Sequence, residues 1–143
     1  MPLIDPAAIP TDSFEWGTIK WLVRPAITPG AGVTFGEVVM QPGEGHGRHN
    51  HPGSEEILYV LSGTGEQMVD DEPPFQVSPG DTIYIAAGVY HSTRNTSWSP
   101  MHVLAIYNPA GPEEVLRELP DYRSVPPGKA PAFVRAAKED AGA

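Results

Sequence analysis

The sequence predicts an all-β fold closed by one short helix near its C-terminal end. Short runs of alternating apolar residues recur over 18–107, and Gly, Pro, Asn and Asp signals break them about every eight to twelve residues. One helix-start signal stands at Gly111-Pro112. The 143 residues suit one domain with one core. We divide them into an arm over 1–17, a β domain with its closing helix over 18–119, and a Pro/Ala-rich tail over 120–143.

The arm holds Pro2, Pro6 and Pro10 and little pattern, so residues 1–13 read as unpaired. In the strand over 18–23, Ile19, Trp21 and Val23 share one face and Leu22 is the sole apolar residue on the other. Pro29-Gly30 makes a turn. The strand over 32–40 has Val33, Phe35 and Val39 with Glu37 on one side and Val38 and Met40 on the other. Such two-sided apolar character suits a strand between two layers or at a subunit contact. Residues 41–47 read as a glycine-rich loop.

In the run over 56–61, Leu58 and Val60 share the Glu56 face, while Ile57, Tyr59 and Leu61 face the other way. A turn at 63–65 leads to a short strand, and Asp70, Asp71 and Pro73-Pro74 mark a hairpin tip. Pro79-Gly80 turns the chain into another strand over 82–86. The last strand, 101–107, places His102, Leu104 and Ile106 opposite Met101, Val103, Ala105 and Tyr107. In the helix over 111–119, Pro112 suits the first position, and Glu113 and Glu114 suit the positive end of the helix dipole. Val115, Leu116 and Leu119 would cover one side of the domain. The tail has no periodicity and would dock only at Phe133.

A net charge of −9 and a pI near 4.8 argue against nucleic acid, whose phosphates need a basic surface, and against anionic membranes. A small anionic substrate stays compatible, because a metal and one or two arginines can dominate the local field. The absence of cysteine excludes disulfides and thiol catalysis. The first residues lack the basic start and apolar stretch of an export signal, and no run is long enough to cross a membrane as a helix. The expectation is a soluble, cytoplasmic protein.

The chemistry concentrates in 43–63, GEGHGRHNHPGSEEILYVLSG. On a strand, the two-residue spacing of His49 and His51 would point both imidazoles to one face. The Pro52-Gly53 turn would bring Glu56 back beside them. Two imidazoles and a carboxylate at one point suit a divalent transition metal. His91 follows in a second stretch, 80–95, GDTIYIAAGVYHSTRN.

Together the two stretches resemble the paired motifs of the cupin superfamily. Gly43, His49, His51, Glu56 and Gly63 match G-x5-H-x-H-x4-E-x6-G, and Gly80, Gly88, His91 and Asn95 match G-x5-P-x-G-x2-H-x3-N. Ala86 stands where that pattern has proline, which relaxes a turn and touches no ligand. The resemblance implies a double-stranded β-helix, or jelly-roll barrel. It also implies one divalent transition metal (Fe, Mn, Ni, Cu or Zn) on His49, His51, Glu56 and His91. Glu55 and Glu56 are adjacent, so only one faces inward. The spacing to Gly63 selects Glu56, and a local bulge would be needed for Glu55.

His46 and His102 are the candidate catalytic residues beyond the ligands. His46 is either a solvated loop histidine or a proton shuttle at the pocket mouth. His102 either faces the lumen from the closing strand or fills the core. Arg48 and Arg94 alternate away from their neighbouring histidines and suit surface salt bridges. Tyr59, Tyr84, Tyr90 and Trp98 suit packing.

Three-His-one-Glu members of the family include dioxygenases and oxalate-type decarboxylases, and others use the metal as a Lewis acid. The expected function is therefore a mononuclear metal-dependent enzyme on a small oxygen-chelating organic substrate, of dioxygenase or decarboxylase type. A non-redox isomerase or lyase and a non-catalytic ligand-binding barrel are the alternatives. The arm, the 32–40 strand and outward Ile57, Tyr59 and Leu61 offer enough apolar surface to predict a symmetric homodimer.

Overall fold

Eleven strands, β1–β11, run through residues 3–131, the part of the chain described by the computed structural model. Seven form one antiparallel sheet in the order β11-β1-β2-β3-β10-β5-β8. In chain order these are β1 Thr11–Phe14, β2 Gly17–Val23, β3 Thr34–Met40, β5 Glu55–Ser62, β8 Thr82–Ile85, β10 Met101–Asn108 and β11 Arg123–Val125. The other four, β4 Gly45–His49, β6 Gly65–Val69, β7 Phe75–Val77 and β9 His91–Asn95, form a second sheet in the order β4-β9-β6-β7. A five-residue helix, α1 (Pro112–Leu116), follows β10.

Alternation explains the large sheet. Met101, Val103, Ala105 and Tyr107 of β10 are buried, as are Leu58 and Val60 of β5 and Val38 and Met40 of β3. Central β10 pairs with β3 on one side and β5 on the other. Gly36 in β3 leaves room for Trp21 of β2, because a Cβ there would stand 2.5 Å from the indole ring.

Thr11–Phe14, expected within an unpaired arm, is strand β1, and Arg123–Val125, expected within the tail, is its partner β11. The cause is non-local. Asp12 is buried because Arg117 reaches its carboxylate at 3.2 and 3.3 Å and the Tyr122 hydroxyl at 3.5 Å. The Phe14 ring stacks on Trp16 at 5.1 Å. Phe133 lies outside the described residues.

Helix α1 covers the barrel with Leu116, while Val115, expected on the same side, is exposed. Glu113 turns back to accept the Gly111 N–H at 2.8 Å. Asn95 joins the sheets: its amide donates to the carbonyls of Met40 and Ser99, and its oxygen accepts from Ser97 N–H. No helix among the described residues is long and apolar enough to cross a membrane.

Candidate metal centre

Strand β4 carries one residue more than its partner across the site. His46 faces Thr93 and His49 faces His91, so three steps on β4 match two on β9, with a register shift between. This is a β-bulge. Strict alternation would send His46 and His49 to opposite faces. The extra residue lets both point inward, and their ring centroids lie 3.8 Å apart. His46 also stacks on Trp16 at 5.5 Å. The solvated-loop placement of His46 is thereby corrected, because Gly45 and Gly47, which read as loop residues, belong to a paired strand.

His51 lies two residues beyond β4, just before the Pro52-Gly53 turn, rather than on the same strand as His49. Its carbonyl accepts from the N–H groups of Ser54 and Gly88, and its ring packs on Tyr107 at 4.8 Å. Glu56 enters from the start of β5 and His91 from the start of β9. His49 Nδ1 contacts the Gly47 carbonyl at 2.6 Å and His91 Nδ1 contacts that of Val89 at 2.9 Å. A carbonyl only accepts, so Nδ1 carries the hydrogen in both rings and Nε2 keeps its lone pair.

One ligand atom from each of His49, His51, Glu56 and His91 lies within 4.8 Å of the others. Glu56 Oε2 is 2.8 Å from His91 Nε2 and 3.2 Å from His51 Nε2. These approaches lack hydrogen-bond direction, and all three atoms are buried without a hydrogen-bond partner among the described residues. Buried polar atoms left open in this way cost stability unless something else meets them. Three imidazole nitrogens and a carboxylate oxygen aimed together suit a divalent transition metal.

The electrostatics agree. Burial pushes the Glu56 carboxyl up, but contacts with His51 and His91 and their positive charge outweigh it and hold it at about 2. Burial, reinforced by the neighbouring His46 and His91, lowers His49 to about 3. Burial also lowers His46, to about 4, against the pull of Glu56. Burial opposes the charge on His91 too, yet contact with Glu56 wins and raises it. Burial, with the charges of Glu56 and Glu113, raises Tyr107 well above the ordinary phenol value, so it stays protonated.

A cavity of about 30 Å³ adjoins the cluster. His46, His49, His91 and Thr93 wall it on the small-sheet side, and Ile19, Val38, Leu58, Val103 and Tyr107 on the other. Thr93, which the sequence argument missed, shares the inward parity of His91 and donates its hydroxyl to Gln67 at 2.5 Å.

His102 is not at this cavity. It occupies the outer face of β10, its Nδ1 3.2 Å from Glu37 Oε1, and both side chains are more than a third exposed. The expectation that it borders the lumen is corrected, because Met101, Val103, Ala105 and Tyr107 take the inner face. Glu55 points outward to Asn108 at 3.3 Å. Arg48 lies on the surface, 3.4 Å from Asp71 and 5.1 Å from the Tyr90 ring centroid.

Residues 36–107 match the model of the Cupin domain family. The chain belongs to the cupin family. Its two sheets form the cupin jelly-roll barrel. An uncharacterized protein of Methanocaldococcus jannaschii is 35% identical over 91 residues, 64% of this cupin and 72% of that protein. The polyketide synthase CurC of Streptomyces cyaneus is 30% identical over 115 residues, 80% of this cupin and 73% of CurC. An oxalate decarboxylase formate complex from Lactobacillus farciminis has a similar structure, with a TM-score of 0.64 and 26% identity. That match covers 71% of this cupin and 32% of the decarboxylase chain.

Proposed function

We propose that this cupin is a mononuclear metal-dependent enzyme acting on a small oxygen-chelating organic substrate, by dioxygenase- or decarboxylase-type chemistry. The observation that carries the reading is the convergence of His51 Nε2, Glu56 Oε2 and His91 Nε2. These atoms are buried, lack hydrogen-bond partners and lie beside a cavity. A bound divalent metal supplies a positive centre that polarises chelating oxygens and, where redox-active, exchanges electrons with dioxygen.

The chain's own residues do the rest. His49, His51, Glu56 and His91 would hold the ion, with the His49 and His91 rings fixed by their Nδ1 contacts. The lone pair of His46, beside His49, accepts a proton from a chelating substrate, while the Tyr107 phenol keeps its proton. Trp16 and Leu116 restrict water at the cavity. The oxalate of the decarboxylase's name is itself a small molecule with paired oxygens, which supports the substrate class. The same protein would form a symmetric homodimer through its outer sheet face, where Tyr59, Leu61 and Tyr84 are exposed.

Elemental analysis of the wild type beside His91→Ala tests the reading. The expected result is about one equivalent of metal in the wild type, lost in the variant. Oxygen uptake or carbon dioxide release with diketones, catechols or oxalate then separates the two reaction types. Wild-type protein that takes up no metal even after reconstitution ends the enzyme reading.

A further inference from the structure

The described walls of the cavity carry one carboxylate and three imidazoles. Among the described residues that line it, Glu56 is the one carboxylate, and there is no lysine or arginine. The described arginines nearest in sequence to the working elements are engaged elsewhere: Arg24 with Glu114 at 2.9 Å, Arg48 with Asp71 at 3.4 Å and Arg117 with Asp12 at 3.2 Å. Arg94 is exposed, on the opposite parity of β9 from His91 and Thr93. Glu113, almost fully buried, is near enough to Tyr107 to act on its phenol.

Charge balance then limits the ligand. A divalent ion on three neutral imidazoles and one carboxylate carries a net charge of about +1. A bidentate monoanion brings the centre to neutrality. A dianion leaves a net negative charge between Glu56 and a hydrocarbon wall, with no lysine or arginine among the described lining residues to meet it, and a buried unpaired charge is strongly disfavoured. The cavity is small, about 30 Å³, so the ligand is also compact.

We propose that this lumen selects compact monoanionic O,O-chelators and discriminates against dianions such as oxalate. The inference rests on the metal-enzyme reading and narrows its substrate class. It also separates this cupin from a neighbour that bears oxalate in its name.

Three ligands of equal heavy-atom count test it: oxalate, a dianion at neutral pH, and oxamate and pyruvate, both monoanions. Toward a hydrated divalent ion the dianion binds most strongly, because its charge attraction is larger. In cobalt-loaded protein, followed by titration calorimetry and the visible cobalt spectrum, the order should invert. Oxamate and pyruvate should each bind about tenfold more tightly than oxalate, or better. Pyruvate has methyl where oxamate has an amide, so agreement between the two excludes a hydrogen bond to Thr93 as the cause. Leu116→Arg and, separately, Trp16→Arg place a guanidinium at the cavity and should restore oxalate to first rank. The wild-type ranking decides even if both variants misfold.

Wild-type protein that binds oxalate most tightly, or loads cobalt and binds none of the three, overturns the inference while leaving the metal site intact. Protein that takes up no cobalt fails the earlier reading instead, and this inference with it.

Discussion

The four-stranded and seven-stranded sheets face one lumen and present opposite chemistry to it. From β4, β9 and β6 come His46, His49, His91, Thr93, Gln67 and Asn95. From β2, β3, β5 and β10 come Ile19, Val38, Leu58, Val60, Val103 and Ala105, with Glu56 the acidic exception. The polar groups at the lumen are buried under one of two arrangements. Thr93, Gln67 and Asn95 are hydrogen-bonded within the barrel, whereas His51, Glu56 and His91 converge through atoms with no hydrogen-bond partner among the described residues. Stability therefore resides mainly in one sheet and reactivity mainly in the other.

Met101→Ala should produce the largest stability effect. The residue is fully buried in the large sheet, and its truncation should cost about 2–5 kcal/mol in urea unfolding. Metal bound per folded molecule should not change. A fall in metal content at permissive urea would show that the sheets are not separable in this way.

A smaller effect, centred on the cluster of imidazoles and Glu56, is a pH dependence of the metal-free protein. His46 at about 4 and His49 at about 3 lie below their ordinary 6.5. As pH falls through 6.5 the unfolded chain takes up protons that these folded imidazoles refuse, so stability falls toward pH 4. His91 is shifted up and opposes this. Glu56, held at about 2 against an ordinary 4.5, contributes stability above pH 4.5 that is lost as pH falls toward 2. The thermal midpoint should be lower at pH 5 than at pH 7, with a smaller drop in His46→Asn. An identical drop in that variant would remove His46 from the account.

The smallest effect should come from His102→Ala on the outer face. Its pairing with Glu37 is solvent-exposed, so stability should change by less than about 1 kcal/mol and metal content should stay constant. Loss of metal there would contradict its outward placement.

Much of this division was legible in the sequence. Motif spacing pointed to the family and to His49, His51, Glu56 and His91, and alternation grouped Met101, Val103, Ala105 and Tyr107 on one face of β10. It did not say which face was inner, because Leu104 and Ile106 make the outer face apolar too; hence the misplacing of His102. Strand β1 was hidden because four residues carry no period, and because Asp12 is buried by Arg117, 105 positions along the chain. His46 was a candidate whose direction stayed open, because the glycines around it read as loop and the bulge breaks the parity on which inward and outward assignments depend.

That extra residue on β4 acts as a counting device. Inserting one residue between His91 and Thr93 would restore step-for-step matching with β4 and turn His46 to the face opposite His49. An unchanged set of side-chain types would then present a different inner wall. In a barrel whose width is set by strand pairing, the length of one short step can alter what a bound molecule meets, without a single substitution.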